Sequence, residues 1–135
     1  MPADLSAWRA ARRTELLALR LAISDSARRD WNAAITRSLV DGFPVLRGMV
    51  LGGYWPIRGE FDPRFAMRRL RELGARTGLP VVVRKSAPLQ FRAWKPGDVM
   101  RRGAFGLPVP EGTALVHPGA LLIPPLGFDA RGFRL

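Results

Sequence analysis

Apolar residues recur at helical spacing in the N-terminal part of the chain. Between residues 6 and 23 they fall on one side of an α-helix: Trp8, Ala11, Leu16, Leu19 and Ile23. Ser6 stands at the start of this run, and serine is a favourable N-cap. A second run over residues 24–41 starts at Ser24 or Asp25 and ends before Gly42. The pattern therefore predicts two N-terminal helices, residues 6–23 and 24–41.

The next three segments alternate between strand and helix character. Short apolar runs predict buried strands at residues 48–55 and 79–83. Residues 63–77 between them have helical periodicity, with Asp62 as the N-cap and Gly78 at the C-terminal end. The side chains expected to face inward on this helix are Phe65, Ala66, Leu70 and Leu73. A strand, a helix and a strand in this order favour a parallel βαβ unit, and therefore an α/β protein.

The C-terminal part of the chain has shorter apolar runs and many glycines and prolines. Residues 90–94 alternate between polar and apolar and predict a strand, and residues 121–124 predict another buried strand. The glycines and prolines of residues 101–111 favour an ordered loop without a regular element, with Phe105 as an exposed aromatic residue. Residues 125–135 are interpreted as a loop that contains glycine and arginine.

Composition narrows the class of protein. The 135 residues suit one domain, and 47% hydrophobic residues suffice for a packed core. The chain has no cysteine and His117 is its only histidine, which excludes a disulfide framework, a thiol nucleophile and a Cys/His metal site. No apolar run is long enough to cross a membrane, and the N-terminus lacks the apolar core of a signal peptide. We therefore expect a cytoplasmic protein with no membrane partner.

The net charge of +11 comes almost entirely from arginine, since Lys85 and Lys95 are the only lysines. Guanidinium groups suit phosphates and carboxylates, so an anionic small molecule and a nucleic acid are both candidate ligands. Three arginines form one stripe of the first helix: Arg9, Arg13 and Arg20. The positive charges of such a stripe repel one another unless an anion binds to them. The alternative is a solvated face with local pairs, for example to Glu15.

Residues 52–63 join the first predicted strand to the third predicted helix, and Glu60 lies in this connection. Loops at the carboxyl ends of strands are common ligand sites in α/β proteins. A carboxylate close to Tyr54, Trp55 and Phe61 suits a flat ligand with polar ring nitrogens, because the aromatic faces stack and the carboxylate accepts from N–H groups. The alternative is a surface glutamate that happens to follow core aromatics.

Several short motifs occur in a fixed order along the chain. Arginines four residues apart precede a helix that begins with serine: Arg9, Arg13 and Ser24. An aromatic residue, a proline, a glutamate and an aspartate follow: Tyr54, Pro56, Glu60 and Asp62. Three further motifs are a Pro-Val-Val strand, Leu-x-Phe-x-x-Trp and Phe-Gly-Leu-x-x-Pro: Pro80–Val83, Leu89–Trp94 and Phe105–Pro110. The last motif, Pro-x-x-Gly-Phe-Asp-x-x-Gly-x-Arg-Leu, spans Pro124–Leu135. In this order the motifs resemble the 5-formyltetrahydrofolate cyclo-ligase family, also called methenyltetrahydrofolate synthetase.

The resemblance implies a fold and an activity. The fold would be a Rossmann-like α/β layer with a mixed, mainly parallel sheet and an N-terminal pair of helices, the sheet being incomplete at the C-terminus. Members of the family convert 5-formyltetrahydrofolate to 5,10-methenyltetrahydrofolate with ATP and Mg²⁺. The partners would be a reduced folate and ATP, with no nucleic acid, and we expect a monomer.

The resemblance also implies roles for individual residues. Arg9 and Arg13 would hold the nucleotide phosphates, with Arg134 as a further phosphate contact. In the folate site Glu60 would bind the pterin edge, Trp55 would pack beside it and Phe105 would cover the ring. No residue is assigned as catalytic or as a ligand of the metal.

One departure from the family concerns the end of the sequence. In the family, a glycine-rich loop that cradles the ATP phosphates follows the Arg-Leu pair at once, whereas this sequence stops at Leu135. We therefore expect residues 1–135 to be a single cyclo-ligase-like α/β domain that lacks the loop and the elements after it. We also expect these residues alone to be inactive as an ATP-dependent cyclo-ligase. The alternatives are a non-catalytic folate- or nucleotide-binding remnant and an arginine-rich nucleic-acid-binding protein.

Overall fold

The structure, a computed structural model, describes residues 4–135 and begins with two helices. Helix α1 spans Leu5–Leu21 and helix α2 spans Asp25–Gly42, as the apolar periodicity predicted. Ser24 is the N-cap of α2, where its side chain accepts a hydrogen bond from the Ala27 N–H. The predicted cap of the first helix is wrong, because the Asp4 carboxylate, and not Ser6, accepts from the Ala7 N–H.

A parallel βαβ unit follows the two helices, as predicted. Strand β1 (Val50–Gly52) leads through helix α3 (Arg64–Glu72) to strand β2 (Arg76–Val81), and β1 and β2 pair in parallel. Helix α3 is shorter than predicted because Gly74 adopts a φ of +116°, which most residues avoid, and the chain then turns into the strand. Gly78 is therefore not at the end of the helix but inside β2.

Three further strands complete a five-stranded sheet. They are β3 (Gln90–Ala93), β6 (Leu115–Val116) and β7 (Ala120–Leu121). The strand order is β6-β3-β2-β1-β7, in which β7 pairs with β1 in parallel and β3 is antiparallel to both β2 and β6. The chain is thus an α/β protein with a mixed sheet, and this part of the fold prediction is confirmed.

The glycine- and proline-rich segment at residues 101–111 is not a plain loop. It contains a small antiparallel hairpin of β4 (Met100–Arg102) and β5 (Pro108–Pro110), so the prediction of no regular element is wrong. Prolines can occupy β5 because a two-stranded ribbon leaves one side of each strand unpaired. The tip of the hairpin contains Phe105 and Gly106, both at positive φ.

The predicted buried strand at residues 121–124 is also wrong in part. Strand β7, at the edge of the sheet, ends at Leu121, and Leu121 and Ile123 are 52% and 53% exposed. The chain then forms a compact C-terminal turn, Gly127–Leu135, in which the Leu135 N–H donates to the Gly127 carbonyl oxygen at 2.9 Å. Within it the Asp129 carboxylate accepts from the backbone N–H groups of Arg131 and Phe133.

The hydrophobic core lies between the sheet and helix α3. Leu51 and Leu79 on the strands and Met67 and Leu70 on α3 are almost completely buried. Each such side chain stabilises the fold by about 1.5–3 kcal/mol. Phe65 was predicted to face inward but is 54% exposed, whereas Met67 on the same helix is buried. Helix α1 has no buried residue, and no helix among residues 4–135 is long and apolar enough to cross a membrane.

Candidate functional site

Two adjoining clefts lie where helix α1 meets the C-terminal turn. The first cleft has a volume of about 410 Å³ and is lined chiefly by these residues: Leu5, Trp8, Arg9, Arg12, Leu16, Phe128, Asp129, Phe133 and Arg134. The second cleft, of about 360 Å³, is lined chiefly by these: Arg13, Leu17, Arg20, Ile57, Arg58, Glu60, Pro124, Leu126 and Arg134. Arg134 and Leu135 line both clefts, so the two share a wall.

The close packing of α1 on the C-terminal turn forms this wall. Leu16 of α1 lies so near Gly127 that a methyl group on the glycine would overlap the leucine side chain. The missing side chain at Gly127 therefore lets the turn approach the helix. This approach brings Arg134, from the end of the described chain, next to Arg9 and Arg13, which are far away in sequence.

Positive charge dominates both clefts. Among residues 4–135, the guanidinium groups of Arg9, Arg13 and Arg134 take part in none of the ion pairs, whereas Arg12 is paired with Glu15 at 2.6 Å. Uncompensated guanidinium groups around a concavity attract an anion, and several of them suit a multiply charged one. The three arginines predicted for a nucleotide are thus brought together.

Glu60 lies on a tight turn at the edge of the second cleft. Its N–H donates to the Ile57 carbonyl oxygen at 3.1 Å, and its Oε1 accepts from the Ile57 N–H at 2.9 Å. The two central residues, Arg58 and Gly59, both have positive φ, as in a type I′ turn. We name residues 57–60 the Glu60 turn. No ion pair of the described residues involves Glu60, so its second carboxylate oxygen remains available to a ligand in the cleft.

The aromatic and acidic residues beside the Glu60 turn are held by their own neighbours. The Tyr54 hydroxyl donates to the Phe61 carbonyl oxygen at 2.7 Å. Burial raises the pKa of Tyr54, and the negative charges of Glu60 and Asp62 raise it further. Tyr54 therefore stays neutral, and its role here is to hold the connection in place.

Asp62 forms an ion pair that fixes the start of α3. Its carboxylate accepts two hydrogen bonds from the Arg64 side chain, at 2.9 and 2.7 Å, and one from the Arg64 N–H. Burial alone would raise the pKa of Asp62, but the bonds from Arg64 outweigh it and hold the pKa below its ordinary value. The Arg64 guanidinium also lies 4.5 Å from the centre of the Trp55 ring.

The two aromatic residues predicted for the folate lie outside the clefts. Trp55 is half-buried, packs against the core and stacks on Arg64. Phe105 is 88% exposed at the tip of the β4–β5 hairpin and lines neither cleft. The structure therefore brings Glu60 to the arginines but not Phe105, and the roles of both aromatic residues stay predictions.

Sequence reasoning missed the apolar lining of the first cleft. Trp8, Phe128 and Phe133 surround it, and Trp8 was predicted only as part of a helix face. The signal for Phe128 was present, since a glycine and an aspartate flank it and predict a turn, but the partner of that turn could not be read from spacing. Within residues 4–135 no three His, Cys, Asp or Glu side chains are grouped so as to hold a metal ion.

Comparison with known proteins identifies the fold. No protein-family model matches the chain, and no curated protein sequence matches it significantly. Among solved structures, it is similar to the 5,10-methenyltetrahydrofolate synthetase of Aquifex aeolicus, with a TM-score of 0.78 and 22% identity over 93% of this chain. It is also similar to the 5,10-methenyltetrahydrofolate synthetase of Mycoplasma pneumoniae, with a TM-score of 0.70 and 21% identity over 93% of this chain.

These similarities span 64% of the Aquifex chain and 69% of the Mycoplasma chain, so the present chain matches about two thirds of each. The resemblance drawn from the sequence motifs is confirmed at the level of structure. The chain therefore has, over most of its length, the fold of the 5,10-methenyltetrahydrofolate synthetases.

Proposed function

We propose that the protein acts in the ATP-dependent cyclisation of 5-formyltetrahydrofolate to 5,10-methenyltetrahydrofolate, as a cytoplasmic monomer. The observation that supports this most directly is the pair of adjoining clefts: Arg9 lines the first, Arg13 and Glu60 line the second and Arg134 lines both, and the three arginines take part in none of the ion pairs among residues 4–135. Such a site has one part for a polyanion and one part for a ligand that donates N–H groups, and the reaction needs both.

The first part of the proposal concerns the nucleotide. ATP would lie in the first cleft beside Arg9, with its phosphates directed past Arg134 toward Arg13 at the entrance of the second cleft. Guanidinium groups bind phosphate oxygens through paired, charge-assisted hydrogen bonds, which fix orientation as well as position. The apolar wall of Trp8, Phe128 and Phe133 suits the base of the nucleotide, because aromatic faces stack.

The second part concerns the folate. The free oxygen of Glu60 would accept hydrogen bonds from the N–H groups of the pterin ring, while Oε1 keeps the turn closed. Trp55 and Phe105 would contribute apolar surface to the ring. Phe105 lies at the tip of a hairpin, so it would have to approach the site when the folate binds.

The chemical step is a phosphoryl transfer followed by ring closure. The formyl oxygen attacks the terminal phosphorus of ATP, and ADP leaves with the electrons of the broken P–O bond. The nitrogen at the 10-position then attacks the activated carbon and gives up its proton to solvent, and inorganic phosphate leaves as the ring closes. The contribution of the protein to such a step is chiefly to position both substrates and to neutralise phosphate charge, which the arginines and Glu60 would do.

Magnesium would be held mainly by the ATP phosphates, because Mg²⁺ commonly binds through substrate phosphates and only one or two carboxylates. Residues 4–135 contain no cluster of three acidic or histidine side chains, so no step is assigned to a metal held by these residues. We also propose that residues 1–135 alone do not turn over, because they supply arginines but no glycine-rich loop whose N–H groups could orient the terminal phosphate.

The test is to follow the methenyl product with the complete gene product and, separately, with residues 1–135. The complete gene product should form product only with ATP and Mg²⁺. Residues 1–135 should bind ATP and 5-formyltetrahydrofolate without turnover. Binding of both ligands but no turnover by the complete gene product would favour a non-catalytic binding protein. Salt-sensitive binding of nucleic acid with no folate binding would contradict the proposal altogether.

A further inference from the structure

The side chain of Arg28 joins the end of helix α1 to the beginning of α2. Its Nη2 donates to the carbonyl oxygens of Arg20 and Ile23, at 3.3 and 3.2 Å. Carbonyl groups at the C-terminal end of a helix lack partners within the helix and concentrate negative partial charge. A half-buried guanidinium at this point therefore satisfies them and fixes where α1 stops.

The same guanidinium lies directly beneath the Glu60 turn. A methyl group built on Gly59 would overlap the Arg28 Nη1 atom, so the two residues are in close contact. Gly59 also has a φ of +75°, which favours glycine. The turn therefore needs glycine for two reasons, its backbone angle and the guanidinium below it.

A second arginine strengthens the connection between α1 and the turn. The Arg20 Nε donates to the Arg58 carbonyl oxygen at 2.9 Å. Arg28 in turn binds the carbonyl oxygen of Arg20. Helix α1, which contains Arg9 and Arg13, is thus linked to the Glu60 turn directly by the Arg20 side chain, while Arg28 bonds the backbone at the end of α1 and packs against Gly59.

Stability alone does not account for Arg28. Its Nε is buried and has no hydrogen-bond partner among the described residues, and a buried donor without a partner is costly. An apolar side chain could fill the same space without this cost. It could not donate to the carbonyl oxygens of Arg20 and Ile23 while packing against Gly59.

We infer that Arg28 is a positioning residue, which holds the nucleotide arginines of α1 and the carboxylate of Glu60 in a fixed relation. This inference rests on the proposed function, because it assigns the two sides of one site to two substrates. Arg28 lines neither cleft. It acts through the backbone of the Glu60 turn and the end of α1.

Kinetics of the complete gene product test the inference. Arg28→Met removes the donors but keeps a long side chain, and Arg28→Lys restores an ammonium donor. Arg29→Met is the matched control, since Arg29 is the neighbouring exposed residue of α2 and lines neither cleft. Arg28→Met should lower kcat by about tenfold or more, because displacing one substrate by a fraction of an ångström from its reactive position strongly lowers the rate. Nucleotide affinity should stay within about twofold, and Arg28→Lys should recover part of the rate.

A distance measurement tests the same inference without relying on activity. Residues 1–135 contain no cysteine, so in this stretch spin labels can be placed on Thr14→Cys in α1 and Ile57→Cys in the Glu60 turn without competing thiols. The distribution of distances between the two labels should be narrow in the parent protein and with Arg29→Met. It should broaden with Arg28→Met and narrow again with Arg28→Lys.

The outcomes separate this inference from the proposed function. Arg28→Met with an unchanged label distribution overturns the inference. A lower melting temperature with unchanged kcat and unchanged nucleotide affinity also overturns it, because that is the signature of a purely structural side chain. A parent protein that shows no turnover contradicts the proposed function alone, and the label distances then decide whether Arg28 fixes the turn.

Discussion

The Oε1 atom of Glu60 accepts a hydrogen bond from the Ile57 N–H at 2.9 Å, so one half of this carboxylate closes its own turn. The other half has no partner in the ion pairs of the described residues and faces a cleft lined by arginines. A single side chain therefore combines a structural and a ligand-binding function. The two can be separated by the choice of substitution.

Glu60→Gln should affect the folate and not the fold. A glutamine oxygen can still accept a hydrogen bond from the Ile57 N–H. The amide NH₂ group, however, would replace the oxygen that accepts from the pterin N–H groups, and two donors cannot bond to each other. The KM for 5-formyltetrahydrofolate should rise by about tenfold or more, with an unchanged melting temperature. Glu60→Ala removes the turn contact as well and should also lower the melting temperature. An unchanged KM with Glu60→Gln would remove Glu60 from the folate site.

Arg9→Ala and Arg13→Ala should each weaken the use of ATP. Loss of a charge-assisted hydrogen bond to phosphate costs about 1.5–3 kcal/mol, which corresponds to about 10- to 150-fold in affinity. Arg37→Ala is the control, because Arg37 is exposed on α2 and lines neither cleft. Calorimetric titration with ATP gives the three affinities directly. Equal affinities for all three variants and the parent protein would exclude α1 from nucleotide binding.

The Asp62–Arg64 pair should make stability depend on acidity. The pKa of Asp62 is lower in the folded protein than its ordinary value of 3.8, so the unfolded state binds a proton first as the pH falls. The stabilisation is complete above that ordinary value and is lost as the pH drops through the lowered folded pKa. Because Arg64 is partly exposed, the pair contributes only about 1 kcal/mol.

Urea unfolding at several pH values measures this contribution. Asp62→Asn should lower the free energy of unfolding at neutral pH and should remove part of its decline below pH about 4. Asp30→Asn is the matched control, since Asp30 is exposed within α2 and takes part in none of the ion pairs among the described residues. Parallel pH curves for the parent protein and Asp62→Asn would show that the pair contributes nothing.

Two positions on helix α3 test which of its faces is buried. Leu70 is fully buried, whereas Phe65 is 54% exposed although its spacing favoured the interior. Leu70→Ala should lower the free energy of unfolding by about 2–5 kcal/mol, because it removes contacts and leaves a cavity. Phe65→Ala should change it by less than about 1 kcal/mol. Similar losses for both variants would place Phe65 in the core after all.

Periodicity predicted the elements whose structure is decided locally. The repeats in α1 and α2 and the strand–helix–strand order of β1, α3 and β2 are local patterns, and each appears in the structure. The ends of these elements were less predictable. Backbone angles at single residues determine them, as Gly74 ends α3 four residues before the glycine that the sequence favoured.

The hairpin and the clefts depend on contacts between distant residues. The residues that pair in β4 and β5 are each of a type that favours loops. No local sequence pattern therefore predicted their pairing. The family motifs pointed to Arg9, Arg13, Glu60 and Arg134, and the structure places all four on the two clefts. The contacts of Arg28 and the aromatic wall of Phe128 could not be predicted, because they require the packing of α1 on two separate turns.

Helix α1 differs from α2 and α3 in having no buried side chain. A helix held mainly by a few hydrogen bonds and one packed turn detaches at a lower free energy than the core unfolds. Its backbone amides should therefore exchange with deuterium well before those of α3. A nucleotide that binds Arg9 and Arg13 would favour the docked helix by mass action and slow this exchange. Amide exchange in α1 would then report directly on occupancy of the phosphate cleft.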